Sequence, residues 1–234
     1  MPSKIQIAKL QTILDDAAKK AGALKLLEAG CGSSTRLTIP AGTYVVGIDI
    51  SQSQLDKNDI LDEKILGDIQ TYPLEEAVFD IIICRDVLEH LSDPEAAVRN
   101  FARAIKPGGL IILALPNLRS LKGWITKWSP HWFHVWTYKY IFRRKHAGKA
   151  GFAPFKTYMR SSIAPDRLKE LGDKLGLNID YFQLYEGGVL RILRKRIGLM
   201  GPLWKVFQFL VKMLSLGRLD AEKTDFVIVF SKPE

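Results

Sequence analysis

Four short apolar runs, bounded by glycine, proline and charge, constrain the first half of this chain more than any other feature. Lys25–Ala29, Tyr44–Ile50, Phe79–Cys84 and Leu110–Leu115 are too short to be helices and too uniformly apolar to be strands with one wet face. A weaker run covers Lys64–Leu66. Helical segments separate some of them. Residues 5–21 read as one helix, and Asp93-Pro94 opens another, with Asp93 as N-cap and Pro94 in the first turn, running to about Ala104. Lys106-Pro107-Gly108-Gly109 stops that helix before the sheet resumes. Buried strands alternating with helices predict a parallel sheet covered on both faces. Downstream, 165–176 reads as a helix, and Leu177–Tyr185 and Phe226–Phe230 read as strands.

Charge divides the chain differently. Residues 1–116 hold 12 basic and 16 acidic side chains, a balance of −4, whereas 117–234 hold 22 and 9, a balance of +13. Such an asymmetry implies that one half meets something anionic. At 47% hydrophobic and 25% charged, the composition is that of a globular chain and excludes a fibrous or disordered one. The two cysteines, Cys31 and Cys84, form neither a disulfide framework nor a metal-ligand spacing, so no metal site is expected and a cytoplasmic location is. Met1–Leu10 does not read as a signal peptide, and no stretch reaches the roughly 20 apolar residues of a membrane span.

The chemistry centres on Leu26-Leu27-Glu28-Ala29-Gly30-Cys31-Gly32. Glycines at a strand end let a ligand approach the backbone, because no Cβ intervenes. Asp49 ends the second strand, 19 positions after Gly30, where a carboxylate can accept hydrogen bonds from both hydroxyls of a ribose. A dinucleotide fits poorly. Thr35 stands where a third glycine would be, and Glu28 before the first glycine would repel a pyrophosphate and favour a cationic ligand.

With Gly47-Ile48-Asp49-Ile50-Ser51, Gly67-Asp68, Phe79-Asp80-Ile81-Ile82, Leu88-Glu89-His90-Leu91 and Lys106-Pro107-Gly108-Gly109 added, the sequence resembles the class I S-adenosylmethionine-dependent methyltransferases, most closely the small-molecule and quinone type. The resemblance covers residues 24–116, and more loosely 165–185 and 225–230. It implies an α/β, Rossmann-like, doubly wound and mostly parallel seven-stranded sheet with an antiparallel last strand. It also implies S-adenosyl-L-methionine as cofactor: Glu28, Gly30 and Gly32 near its methionine part, Asp49 on the ribose, Ile50 on the adenine face, Asp68 and Ile69 beside the adenine amino group, and Arg85 near the methionine end. Only about a dozen residues separate Gly32 from the second strand, so the first crossover helix is expected to be unusually short.

Methyl transfer to a hydroxyl also needs a base. His90, after the fourth strand, is one candidate; His131 and His134, in the aromatic segment expected to cover the site, are two more. Trp132, Trp136, Tyr158 and Arg160 are candidates for contact with the acceptor. Asp80 reads as a residue that orients the sheet edge, and Glu89 as an anion at a helix start. Neither an Asn-Pro-Pro-Tyr nor a Pro-Cys acceptor signature is present.

These readings place one methyltransferase domain over 1–234, with a cofactor half at 1–116, a lid and acceptor insertion at 117–164, and C-terminal strands at 165–234 interrupted by an amphipathic helix at about 189–216. In the lid, Trp124, Trp128, Trp132 and Trp136 recur every fourth residue, and Ser129-Pro130 splits the stretch, with Ser129 expected to cap a second helix and Pro130 to open it. In Leu203–Leu216 the polar Lys205, Gln208, Lys212 and Ser215 make one narrow stripe opposite a wide apolar face. Basic residues beside such faces fit an anionic membrane surface, with the protein peripheral to it; a homodimer or the core would also take the apolar face. No RNA-binding module accompanies the basic residues, which disfavours nucleic acid. The expected activity is methyl transfer to a lipophilic or membrane-presented small molecule. The alternatives are a soluble metabolite or natural product as acceptor with the basic half as lid and dimer surface, an RNA acceptor, or cofactor binding without turnover.

Overall fold

Strands β1 (Lys25–Ala29), β2 (Tyr44–Asp49), β3 (Glu63–Leu66), β4 (Phe79–Arg85), β5 (Ile105–Pro116), β6 (Asn178–Tyr185) and β7 (Asp225–Ser231) form one sheet in the order β3-β2-β1-β4-β5-β7-β6. The computed structural model describes residues 4–21, 23–35, 37–141, 143–149 and 154–234; the parts of the lid at 142 and 150–153 lie outside the described residues. β1 pairs in parallel with β2 and β4, β2 with β3, and β4 with β5; β7 runs antiparallel to both β5 and β6. From β1 the sheet builds one way through β2 and β3 and the other way through β4 and β5. The crevice of such a sheet opens at that reversal, beyond the C-terminal ends of the strands.

Successive residues of each strand serve opposite faces. Leu26, Val45, Ile81 and Ile83 pack with Leu10 and Leu14 of α1 (Lys4–Ala21). Leu27, Val46, Ile82 and Leu113 pack with Phe101 of α3 (Pro94–Ala104) and Leu168 of α6 (Pro165–Lys174). Asp93 caps α3 by accepting from the Ala96 N–H at 3.1 Å, with Pro94 in the first turn. Asp80 accepts from the Lys25 N–H and from Lys106 Nζ, both at 2.8 Å, fixing where β1 and β5 begin.

Three local expectations are corrected. Between Gly32 and β2 there is no short helix among the described residues, only turns and bends. A dozen residues containing Pro40 and Gly42 cannot wind a helix and still return across the sheet. α1 covers this face instead, and Gln11 is tied to the connection by exchanging hydrogen bonds with the Thr38 backbone at 2.8 and 2.9 Å. β5 starts at Ile105 rather than Leu110, because Ile105 already pairs with Phe79 and a register shift between Phe79 and Ile81 absorbs the intervening residues. Ser129 does not cap the second lid helix. It ends α4 (Leu121–Trp128), its hydroxyl donates back to the Ile125 carbonyl at 2.6 Å, and Pro130 is the N-cap of α5 (His131–Trp136).

The aromatic and apolar faces of the second half point outward. Trp124, Trp128, Trp132 and Trp136 are all exposed, Trp128 by 70%, and stack locally: Phe133 lies on Trp136 and Trp136 against Tyr140. Helices α7 (Gly188–Arg196) and α8 (Gly201–Leu214) meet at 119°, and no single helix among the described residues is long and apolar enough to cross a membrane. α8 turns Trp204 and Gln208 inward and Leu203, Val206, Phe209, Met213 and Leu214 outward. Its wide apolar face is therefore not spent on this chain's own core.

Candidate active site

The glycine turn, the end of β2 and the end of β4 converge at the crevice. Gly30 and Gly32 have φ of +71° and +58°, a region open to glycine at little cost. A Cβ on Gly30 would lie 2.4 Å from Val87 Cγ2, whereas one on Gly32 would meet nothing within 4 Å, so the turn is packed beneath and open above. The Asp49 carboxylate accepts from the Gly32 N–H and the Ser51 N–H, both at 2.9 Å. Each oxygen thus keeps acceptor capacity for a further donor. Ile50, next along, is 77% exposed and presents an apolar face at the rim. Thr35, in the place of a third glycine, donates its hydroxyl hydrogen to Glu28 and orients that carboxylate.

On the far side of the turn, Asp68 accepts from the Gln70 backbone and side-chain N–H groups at 2.9 Å, and Gln70 in turn accepts from Ser92 and from the Asp93 N–H. The Ile69 side chain is buried in the core, and its carbonyl accepts from the Asn100 side chain at 3.2 Å. Arg85 ends β4 opposite Ala114 of β5. These features fit a ribose-bearing, cationic cofactor: an open glycine turn, a carboxylate with spare lone pairs, an exposed apolar residue and an oriented second carboxylate.

The segment after β4 carries more than the sequence signalled. Asp86, at φ +55°, continues β4 by donating its N–H to the Ala114 carbonyl at 2.8 Å. His90 Nδ1 lies 2.8 Å from the Lys156 carbonyl, and Phe155 packs edge-on against the ring. A carbonyl only accepts, so Nδ1 carries the hydrogen and Nε2 keeps its lone pair. Burial holds His90 below its usual range, against the pull of the Lys156 carbonyl and Asp86, so the ring is neutral near pH 7. The same 154–160 segment is stitched on by the Tyr158 and Met159 N–H groups, which donate to the Glu89 carbonyl. Tyr158 lies between Lys156 and Arg160, and Arg160 also donates to the Ser92 carbonyl at 3.0 Å.

Glu89 is not a solvated helix-start anion. It is 5% exposed, and burial, then the charge of Asp86, push its carboxyl up to about 8. Native Glu89 therefore keeps its proton up to about pH 8, while the unfolded chain releases it near 4.5. In that window the native state binds more protons, so stability falls as pH rises through it. Glu89→Gln removes this term. At about pH 9 the variant is expected to exceed wild type by on the order of 2–4 kcal/mol in urea unfolding, with the excess vanishing in acid below the unfolded carboxyl's titration. An equal pH slope in both proteins would contradict a buried, titrating Glu89. Nearby, Lys122 of α4 bonds the buried Asp225 of β7 at 2.9 Å, and Thr224 donates to the same carboxylate at 2.6 Å, fastening the lid's first helix to the sheet.

Among the described residues the three candidate histidines do not contact one another. His134 Nε2 faces the Ser129 hydroxyl at 3.1 Å and the Ser129 carbonyl at 3.2 Å, so Nε2 carries the hydrogen and the ring is tied to the end of α4. His131 is exposed on the same helix, as are Trp132 and Trp136. His90 follows the C-terminal end of β4 and is fixed there by the Lys156 carbonyl. Glu89 was read only as a helix-start anion, and Asp86, Lys122 and Asp225 were not read as site residues, because the packing that gathers them joins strands and helices far apart in sequence.

The sheet order, the glycine turn and the carboxylate at the end of β2 are those of the class I, Rossmann-like methyltransferase fold. Residues 27–113 match the family described as "Methyltransferase domain". A ubiquinone biosynthesis O-methyltransferase of Coxiella burnetii is 28% identical over 163 residues, covering 66% of this chain and 63% of the relative, so the chain spans somewhat under two thirds of that curated relative's length. A SAM-dependent methyltransferase from Archaeoglobus fulgidus superposes with a TM-score of 0.54 over 97% of this chain and 94% of its own, at 16% identity. A geranyl diphosphate methyltransferase in complex with SAM gives 0.57 over 97% and 85%, at 13% identity. At those identities the structural likeness is one of fold.

Proposed function

We propose that this chain transfers the methyl group of S-adenosyl-L-methionine to a lipophilic small molecule that it meets at a membrane surface, working as a cytoplasmic protein peripheral to an anionic bilayer. The observation that carries the acceptor side is the outward-facing apolar surface of α4, α5 and α8 in the half with the +13 balance. Trp and Tyr beside basic residues favour the headgroup level of a bilayer. The carbonyl of Ile141, just past α5, accepts from Arg196 at 3.1 Å, so the aromatic segment and α7 adjoin.

On the donor side, Glu28, Gly30 and Gly32 would hold the methionine part with Arg85 close by, Asp49 the ribose, and Ile50 the adenine face, with Asp68 and the Ile69 backbone at the amino group. When bound, the sulfonium supplies an already activated methyl group. What remains for the chain is to align the acceptor and take its proton. His90 is the base in this reading, with Tyr158 and Arg160 flanking the acceptor and Trp132 and Trp136 on its path. The matched relative's name, an O-methyltransferase of ubiquinone biosynthesis, favours a hydroxyl nucleophile.

Incubating the protein with methyl-labelled cofactor and a cell extract, then separating lipid, RNA and water-soluble fractions, tests this directly. Label in the lipid fraction is expected. Label confined to the soluble or RNA fraction would overturn the lipophilic acceptor, and label in none would leave a cofactor-binding protein without turnover.

A further inference from the structure

Beside β6, at the edge of the sheet remote from β2 and Asp49, a cavity of about 760 Å³ opens between α6, α8 and residues 216–222. Each of its acids makes a polar contact, although the second oxygen of Asp166 is buried without a hydrogen-bond partner. Asp166 pairs with Arg119; Asp220 accepts the N–H groups of Glu222 and Lys223 at 2.8 Å; Glu222 accepts from Gln208 at 3.0 Å. Among the described residues Lys169, Lys212 and Arg218 make no ion pair, and the Lys169 ammonium sits 3.5 Å from the Phe182 ring centroid. Three cations without an ion-pair partner among the described residues thus stand beside an apolar wall of Phe182, Leu184 and Leu216, a lining that suits an anion with an apolar body.

Leu216 says where that body goes. It is 82% exposed and held at φ +53°, a left-handed conformation in which a leucine is strained and a glycine would not be. It lines the mouth of the cavity and continues the outward apolar face of α8, while Gln208 and Lys212 of the same helix line the inside. One helix thus offers an anion site on one side and an acyl-compatible face on the other.

We infer that this cavity binds the phosphate headgroup of an acidic membrane lipid while α8 lies in the bilayer surface. The inference rests on the membrane-surface reading above. A second copy of the chain is the poorer occupant, since a self-complementary contact through α8 would set Lys205, Lys212 and Arg218 against the same basic surface. A lipid with a phosphate and two acyl chains complements both the charge and the apolar face.

The test floats the whole protein with vesicles of phosphatidylcholine alone or mixed with phosphatidylglycerol, and reads lysine acetylation by mass spectrometry. Lys205, on α8 outside the cavity, reports docking; Lys169, on α6 inside it, reports filling. Flotation with the mixed vesicles only is expected, with severalfold slower acetylation of both lysines and no change at Lys57 beyond the opposite edge. Lys212→Gln with Arg218→Gln is expected to weaken flotation more than Arg143→Gln with Arg144→Gln, which removes the same charge. Flotation with Lys169 still fully reactive, or equal losses in the two double variants, would overturn the headgroup site and leave the membrane reading standing. No flotation would overturn both. Equal protection of Lys169 by free glycerol phosphate without vesicles would assign the cavity to a soluble phosphate ester and overturn the lipid.

Discussion

Asp49→Ala is expected to weaken S-adenosylmethionine binding by about 10²–10⁴-fold in calorimetry, because two charge-assisted hydrogen bonds of about 1.5–3 kcal/mol each are lost together. The native contacts of Asp49 sharpen the expectation. Its two oxygens already take the N–H groups of Gly32 and Ser51, so this carboxylate holds the glycine turn in shape before any ligand arrives. Alanine would remove both the ribose acceptors and the brace. An asparagine would keep a brace on one side and lose the charge, so Asp49→Asn should fall between wild type and Asp49→Ala. Binding by Asp49→Ala within about threefold of wild type, under about 1 kcal/mol, would remove Asp49 from the cofactor site.

His90→Ala is expected to lower kcat by about 10²–10⁴-fold, the usual worth of a positioned general base, with cofactor affinity little changed. The geometry behind this is the Lys156 carbonyl, which fixes the hydrogen on Nδ1 and leaves Nε2 as the acceptor. The direction of the shift sets the pH profile. Burial holds His90 below its usual range, so the neutral, base-competent form persists to lower pH than an exposed histidine would allow. Wild-type kcat/KM should therefore decline only below the ordinary histidine range, and His90→Ala should lose that acidic limb along with most of its rate. An unchanged kcat, or an acidic limb that survives the substitution, would make His90 a structural contact and leave the base elsewhere.

The strands, the glycine turn and the acid at the end of β2 were legible because each rests on local order. An apolar run stopped by Lys106-Pro107-Gly108-Gly109, the Asp93-Pro94 helix start, and Gly30-Cys31-Gly32 with an acid at position 49 speak through spacing alone. The connection from β1 to β2 was misread because a family expectation of a helix outweighed a length too short to wind one. Ser129 was misread because a hydroxyl between two helices can serve either, and only packing chose the Ile125 carbonyl. Glu89 could not have been read from its neighbours in sequence. Its raised carboxyl comes from burial and from the charges of Asp86 and Asp225, balanced by Lys122, groups that the β4 end, β7 and α4 bring together.

The amino-acid sequence by itself determined an alternating α/β sheet, a glycine turn with an acid at the end of the second strand, and a second half that is basic and aromatic. It determined that α8 has a polar stripe and an apolar face, since periodicity reports which residues share a side. Only the tertiary structure decided that the apolar side faces out, that Gln208 and Lys212 line a cavity with Lys169 and Arg218, and that the Lys156 carbonyl fixes the His90 ring after β4. The reason is physical: helical spacing fixes neighbours one turn apart, whereas what a face meets depends on elements tens to more than a hundred residues distant, which the chain must fold to bring into contact.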